Sequence, residues 1–291
     1  MERLYILAPA LLGVAFMLVM LAIYSVLCAV GRTPKVTALK HNQLFGPYMA
    51  RYLVWLLGPV ERLARGRISP NAITTLSLAG CVGAGVAAAY GHLATAAWVY
   101  ALAGILDILD GRLARSTGTM TAAGALFDSV SDRWGELAVL TGFAWYLRDS
   151  TWLLAVILAI AGSMMVSYTR ARAEGLGLTL TGGMMQRAER IVLVGVGSIV
   201  GAWFAATPDA AHHAQTAVGL GMLLTGLGAS ITALGRWRHG YRVLVARERA
   251  AAPMAAPVMV STAPSSSSSR IPVVTAARRD IVEAATPGPS A

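Results

Sequence analysis

The chain has 291 residues, 56% of them hydrophobic and 13% charged, with a mean hydropathy of +0.61. A soluble domain carries about a quarter charged residues, so this composition excludes one and predicts an all-α polytopic membrane protein, whose backbone groups are satisfied inside each helix. The net charge of +10 points to cytoplasmic loops and anionic lipid headgroups, with no nucleic-acid partner, and Cys28 and Cys81, both in apolar runs, form neither a disulfide framework nor a metal spacing.

Leu4 to Val30 is one apolar run, longer than the roughly 20 residues needed to span a bilayer. A signal peptide has an apolar core of about 7–15 residues before a small-residue cleavage site, so this run reads as a retained anchor. Arg32, Lys35 and Lys40 set its C-terminal end in the cytoplasm, and residues 1–42 form the anchor and its linker. In residues 43–67, Phe45, Tyr48, Tyr52 and Trp55 alternate with Arg51, Glu61, Arg62, Arg65 and Arg67. Aromatics mixed with arginines and broken by Gly46-Pro47 and Gly58-Pro59 predict a helix in the interface plane, with a plain juxtamembrane linker as the alternative.

Six core spans follow within residues 68–245. Ser69 caps the first and Pro70 opens it; that span runs to about Ala89 and is rich in Gly and Ser. The others are expected over Ala94–Arg115, Met120–Leu147, Trp152–Tyr168, Ile191–Ala206 and Thr216–Leu234, with Arg170–Arg190 as the longest polar connection. Loops at 62–67, 112–115, 170–190 and 236–249 are basic, whereas 90–93 and 207–213 contain no Lys or Arg. Alternate loops therefore agree on which side is cytoplasmic, and a bacterial cytoplasmic membrane is the expected location. The stretch 250–291, rich in Ala, Pro and Ser, is expected to be a disordered tail.

The second and third core spans carry Asp107, Asp110, Asp128 and Asp132, close to their cytoplasmic ends. An acid at membrane depth is costly and marks a functional site by default. Asp107 and Asp110 are i, i+3; Asp128 and Asp132 are i, i+4; each pair shares a helix face. A short turn makes the two helices antiparallel neighbours, so the four carboxylates can converge. Oxygen ligands without His or Cys favour Mg²⁺ or Mn²⁺, and two ions about 3.5–4 Å apart could clamp a phosphate. Gly111 and Gly124 leave the backbone open near the acids, Ala114 continues that face, and Arg115 offers a fork for phosphate oxygens. The structural alternative is that Asp128 or Asp132 pairs with Arg112 or Arg133 as a buried salt bridge.

These residues resemble the CDP-alcohol phosphatidyltransferase motif, Asp-x-x-Asp-Gly-x-x-Ala-Arg, eight residues, Gly-x-x-x-Asp-x-x-x-Asp. Asp107, Asp110, Gly111, Ala114, Arg115, Gly124, Asp128 and Asp132 match it at every position. The resemblance covers about residues 60–245 and implies six core helices with the motif across the second and third. It implies that Asp107, Asp110 and Asp128 bind two metal ions. Asp132 would be the general base for the acceptor hydroxyl and would also touch one metal. Gly111, Ala114, Arg115 and Gly124, with the Pro70-Asn71-x-x-Thr74 entrance, would hold the cytidine diphosphate. The chemistry implied is attack of an alcohol on the β-phosphorus of a CDP-lipid such as CDP-diacylglycerol, releasing CMP.

The segments Ser167–Glu174 and Gln186–Arg190 look like the phosphatidylinositol-phosphate synthase branch. That likeness implies an acceptor-phosphate site drawn from Arg170, Arg172, Arg187, Arg190 and Arg236, and inositol phosphate as acceptor. The branch more often has Lys at the position of Arg170 and Pro at that of Ala188. Arg and Lys are not equivalent phosphate binders, so glycerol 3-phosphate stays open as the alternative acceptor. A homodimer is implied by the family, and Gly197-x-x-x-Gly201 is a small-residue face for it or for packing within one subunit. An ion-coupled transporter is the alternative from another class. It calls for internal repeats and acids near the midplane, neither of which the sequence has.

Overall fold

The structure, a computed structural model, describes residues 2–32, 46–180 and 182–251. Every regular element among them is helical: α1 (Glu2–Ala29), α2 (Gly46–Ala64), α3 (Pro70–Ala89), α4 (Leu93–Thr117), α5 (Ala122–Tyr146), α6 (Leu153–Gly175), α7 (Arg187–Ala206), a 3₁₀ turn (Pro208–Ala210) and α8 (His213–Ala251). The chain divides into two units, Met1–Arg247 and Glu248–Ala291, and the first holds every site residue. The linker over 33–42, Phe45 at the start of the interfacial segment, and the tail beyond Ala251 lie outside the described residues.

Six helices are long and apolar enough to cross a membrane, starting with the Leu7–Ala29 part of α1 and continuing with α3, α4, α6, α7 and α8. With this composition they make the chain an integral membrane protein. α5 is as long as α4, 25 residues, but Asp128, Asp132, Arg133 and Glu136 stand along its middle, whereas the charges of α4 all lie in its last turns. It is held by neighbours instead of lipid alone, packing along α3 and against α6.

Small residues set how closely these helices lie. A Cβ added to Gly142 of α5 would overlap the carbonyl of Gly85 on α3, so the two backbones touch there. Around that contact Ala84, Ala88, Ala96, Tyr100, Ala103, Val139 and Phe143 form the main core. Gly197 and Gly201 of α7 face Ala214, Ala217, Val218 and Gly221 of α8 in the same chain. Packing within one subunit therefore uses the face that the sequence also allowed for a dimer.

Two boundaries differ from the sequence reading. The polar connection Arg170–Arg190 shrinks to residues 176–186, because α6 continues to Gly175 and α7 begins at Arg187. Nothing in Ser167–Glu174 breaks a helix, and the Arg170–Glu174 ion pair at 2.9 Å lies along it. Gly177, with φ 71°, then turns the chain in the left-handed region. The Glu189 carboxylate accepts from the Gln186 backbone N–H at 3.1 Å and starts α7. Likewise α8 does not end near Leu234; its 39 residues run to Ala251, and Val243 and Leu244 pack on Ala173, Leu178 and Leu180. Charged residues ended the predicted spans too early, since a helix leaving the bilayer keeps its hydrogen bonds in water.

Candidate active site

α4 stops at Gly118, which adopts φ 67° and closes the helix with its backbone N–H on the carbonyl of Ala114. Three residues later Thr121 caps α5, its hydroxyl accepting from the Gly124 N–H at 3.0 Å. This tight reversal makes α4 and α5 antiparallel and brings their acids to one level. Asp107, Asp110 and Asp128 each offer a carboxylate oxygen, and these oxygens lie within 4.8 Å of one another. Asp110 is only 3% exposed, and Thr74 on the first turns of α3 donates to its Oδ2 at 2.7 Å. Three converging hard oxygen ligands, one oriented by an outer hydroxyl, fit Mg²⁺ or Mn²⁺.

Asp132 stands beside that cluster, bridged to it by Arg187. The Arg187 Nη1 lies 2.6 Å from Asp107 Oδ1 and also contacts Asp132 Oδ1. The Arg187 Nε is buried and finds no hydrogen-bond partner. So the first turn of α7 brings a guanidinium to the acids from a third helix. This answers the alternative raised by the sequence for Asp132: its ion partner is Arg187. Arg112 turns away to Glu61 at 2.9 Å, and Arg133 donates to the Ser129 carbonyl.

The residues expected around the diphosphate gather at the same end. Pro70, Asn71 and Thr74 begin α3. A Cβ on Gly124 would come within 3.6 Å of Asn71 Oδ1, and one on Gly111 within 3.3 Å of Arg115 Nη1. Arg115 thus folds back over Gly111, with the partly buried Ala114 one residue before it. The five arginines expected at the acceptor separate into different settings. Arg187 joins the acids. Arg190 is buried in a two-point ion pair with Glu136, at 2.6 and 2.9 Å. Arg236 donates to the carbonyls of Gly182 and Val166 at 2.8 and 2.9 Å. It lines a cavity of about 530 Å³ with Thr179, Thr232 and His239. Arg170 and Arg172 are exposed near the end of α6, Arg170 paired with Glu174.

Sequence reasoning did not single out Glu136 or the pairing of Glu61. Glu136 follows Asp128 and Asp132 at the same four-residue step, so the rule that flagged the aspartates reaches it too. Glu61 lies on α2, which is not among the spanning helices. Burial acts to raise its carboxyl, but hydrogen bonds and charge from Arg112, with Arg65, outweigh that and hold it below the ordinary carboxylate value.

Residues 67–226 match the family model for CDP-alcohol phosphatidyltransferase. The chain belongs to the CDP-alcohol phosphatidyltransferase family. It is an enzyme of that transferase class, and its Asp107, Asp110 and Asp128 cluster fits Mg²⁺ or Mn²⁺. An archaetidylinositol phosphate synthase of Methanothermobacter thermautotrophicus is 41% identical over 113 residues, which span 39% of this chain and 57% of that protein. The phosphatidylinositol phosphate synthase of Mycobacterium tuberculosis is 32% identical over 185 residues, 61% of this chain and 82% of that protein. A crystal structure of the Mycobacterium tuberculosis enzyme with CDP-DAG bound superposes with a TM-score of 0.55 at 29% identity, over 64% of this chain and 94% of that one. A second, in complex with manganese and citrate, gives 0.54 at 29% identity, over 63% and 88%. In this phosphatidyltransferase, α1 and α2 precede the matched segment.

Proposed function

We propose that this phosphatidyltransferase moves a phosphatidyl group from a CDP-activated lipid such as CDP-diacylglycerol to a hydroxyl of inositol phosphate, releasing CMP. The observation that carries the reading is the convergence of Asp107, Asp110 and Asp128, with Asp132 one side chain away. Asp107, Asp110 and Asp128 would hold the metal ions, with Asp132 as a further ligand to one of them, and Mg²⁺ or Mn²⁺ bound there would supply the charge that neutralises a diphosphate. Gly111, Ala114, Arg115 and Gly124, with Pro70, Asn71 and Thr74, cradle the cytidine diphosphate. Asp132 takes the proton of the acceptor hydroxyl. The acceptor oxygen then bonds to the β-phosphorus while the bond from that phosphorus to CMP breaks. Arg187, Arg190, Arg236, Arg170 and Arg172 are the candidates for the acceptor phosphate; Arg236 lines a cavity and Arg170 and Arg172 are exposed, whereas Arg187 is held by Asp107 and Asp132 and Arg190 by Glu136. The named relatives, an archaetidylinositol phosphate synthase and a phosphatidylinositol phosphate synthase, support that choice of acceptor.

The same reading divides the chain into an anchor and linker (1–42), an interfacial segment (43–67), a catalytic domain (68–245) and a tail (250–291). It sets the site near the cytoplasmic face of a bacterial cytoplasmic membrane, because the basic loops and the acids share one end of the bundle. A homodimer belongs to it as well, through a surface other than the α7 face already filled by α8.

The test is CMP release by purified protein given Mg²⁺ or Mn²⁺ and CDP-diacylglycerol, with inositol phosphate, glycerol 3-phosphate, inositol and serine as separate acceptors. Release is expected with inositol phosphate. Release with glycerol 3-phosphate alone would replace the acceptor, and none with any of them would overturn the reading. Asp132→Asn should cut turnover by at least about 100-fold, within the span a positioned base contributes, while Mn²⁺ binding stays largely intact.

A further inference from the structure

We infer that α2 is a positioning strut of the transfer site, and that Glu61, by holding Arg112, fixes the outer face of α4 so that Asp107, Asp110 and Gly111 face inward. The inference rests on the reading above for which residues meet the donor. Its observations join α2, which precedes the segment matched to the family, to side chains of α3 and α4 that are not part of the acid cluster.

Ala64, at the end of α2, packs with Ile73 of α3 and with Leu109 and Leu113 of α4. Ile73 precedes Thr74, and Leu109 precedes Asp110, so this small core backs the two residues that share the 2.7 Å hydrogen bond. One turn earlier Glu61 is buried. Its Oε2 accepts from Arg112 Nε and Nη2, both at 2.9 Å, and its Oε1 from Arg65 at 3.4 Å. Arg112 follows Gly111 directly. On a helix Asp107, Asp110 and Ala114 share one face, and Arg112 points to the opposite one. A rotation of α4 that turned the aspartates outward would have to pull Arg112 off Glu61.

The strut is braced from behind. The Tyr52 hydroxyl of α2 donates to the Met17 carbonyl of α1 at 3.0 Å, and Ser25 of α1 meets the Tyr48 hydroxyl at 2.8 Å. The Tyr24 ring of α1 lies 5.7 Å from Tyr52 and 5.5 Å from Trp55. So α1 grips one half of α2, and the other half grips the turns of α3 and α4 that carry the site.

The experiment is steady-state kinetics of the full chain in mixed micelles, with donor and acceptor varied separately. Glu61→Gln and Arg112→Gln should each raise KM for CDP-diacylglycerol about tenfold or more, the scale of a small misplacement, with acceptor KM unchanged. The exchanged pair E61R/R112E should bring donor KM back to within about threefold of wild type, as expected where the two charges act on each other. Mn²⁺ titration reports whether each variant keeps its acid cluster, and Arg112→Gln carries the same test if Glu61→Gln does not fold. The inference is overturned if both single variants behave as wild type. It is equally overturned if they change both KM values alike, or if the exchanged pair binds Mn²⁺ normally yet restores nothing. A wild-type chain that releases no CMP would instead overturn the proposed reaction.

Discussion

Thr74 shows how much one hydroxyl can decide at this site. Its Oγ1 lies 2.7 Å from Asp110 Oδ2 and 3.1 Å from the Pro70 carbonyl, in a place where Asp110 is almost wholly shielded. A carboxylate so buried depends on its few donors for orientation. Thr74→Val should therefore weaken Mn²⁺ binding by about 10- to 100-fold, the range for loss of an outer partner to a metal ligand, and Thr74→Ser should restore it. Calorimetric or spin-resonance titration of Mn²⁺ reads this directly, and unchanged affinity in Thr74→Val would remove Thr74 from the site. At this scale the four aspartates were legible in the sequence because their spacing is local: three or four residues apart on one helix face. Glu61 and Glu136 were not, because their partners are distant. Arg112 is 51 residues from Glu61, and Arg190 is 54 from Glu136. A lone acid carries no local pattern that names its partner, and only the packing of α2 on α4 and of α5 near α7 supplies one.

Among the elements, α3 and α5 carry the tightest constraint, because the acids on α5 sit where their backbones allow. A Cβ at position 142 would collide with the Gly85 carbonyl, so α5 would have to move off α3 and carry Asp128 and Asp132 with it. Gly142→Ala should cost about 1–3 kcal/mol, the usual penalty for overpacking, and should also lower CMP release. Gly195→Ala on α7, where the added methyl meets nothing within 4 Å, is the control and should melt at or above wild type. Thermal unfolding in detergent compares them; an equal loss in both would show that helix contact at Gly85 is not what matters. The small residues were readable from the sequence as a close-packing signal, but not which helix each one meets. Gly197 and Gly201 illustrate this, since the same spacing served a dimer or an intrachain contact equally well until α8 was found against them. Helix ends were misread for a different reason. Arginines near the bilayer surface looked like loop, yet α6 and α8 carry them on continuous helix into water.

For the molecule as a whole, the question is which side of the membrane the acids face. Successive helices from α3 to α8 join by short turns or a single longer loop, so their ends alternate. At the end of the bundle that holds the acids lie Arg112, Arg115, Arg170, Arg172, Arg187 and Arg236. At the opposite end the turns 90–92 and 207–212 contain no Lys or Arg, and 147–152 contains only Arg148. On the proposed topology the excess of arginine marks the cytoplasmic side, as the positive-inside rule expects. A CDP-lipid held in that leaflet and a charged, water-soluble acceptor could then meet without either crossing the bilayer. The prediction uses single cysteines in a chain whose Cys28 and Cys81 have been replaced. Tyr90 is 79% exposed in the turn between α3 and α4, and Met184 is 55% exposed in the loop between α6 and α7. In intact cells a membrane-impermeant maleimide should label Tyr90→Cys and leave Met184→Cys unlabelled; in inverted vesicles the pattern should reverse. Labelling of Met184→Cys in intact cells would put the acids on the outer face. The basic loops would then need a reason other than topology, because an acceptor made in the cytoplasm could not reach Asp132 at all.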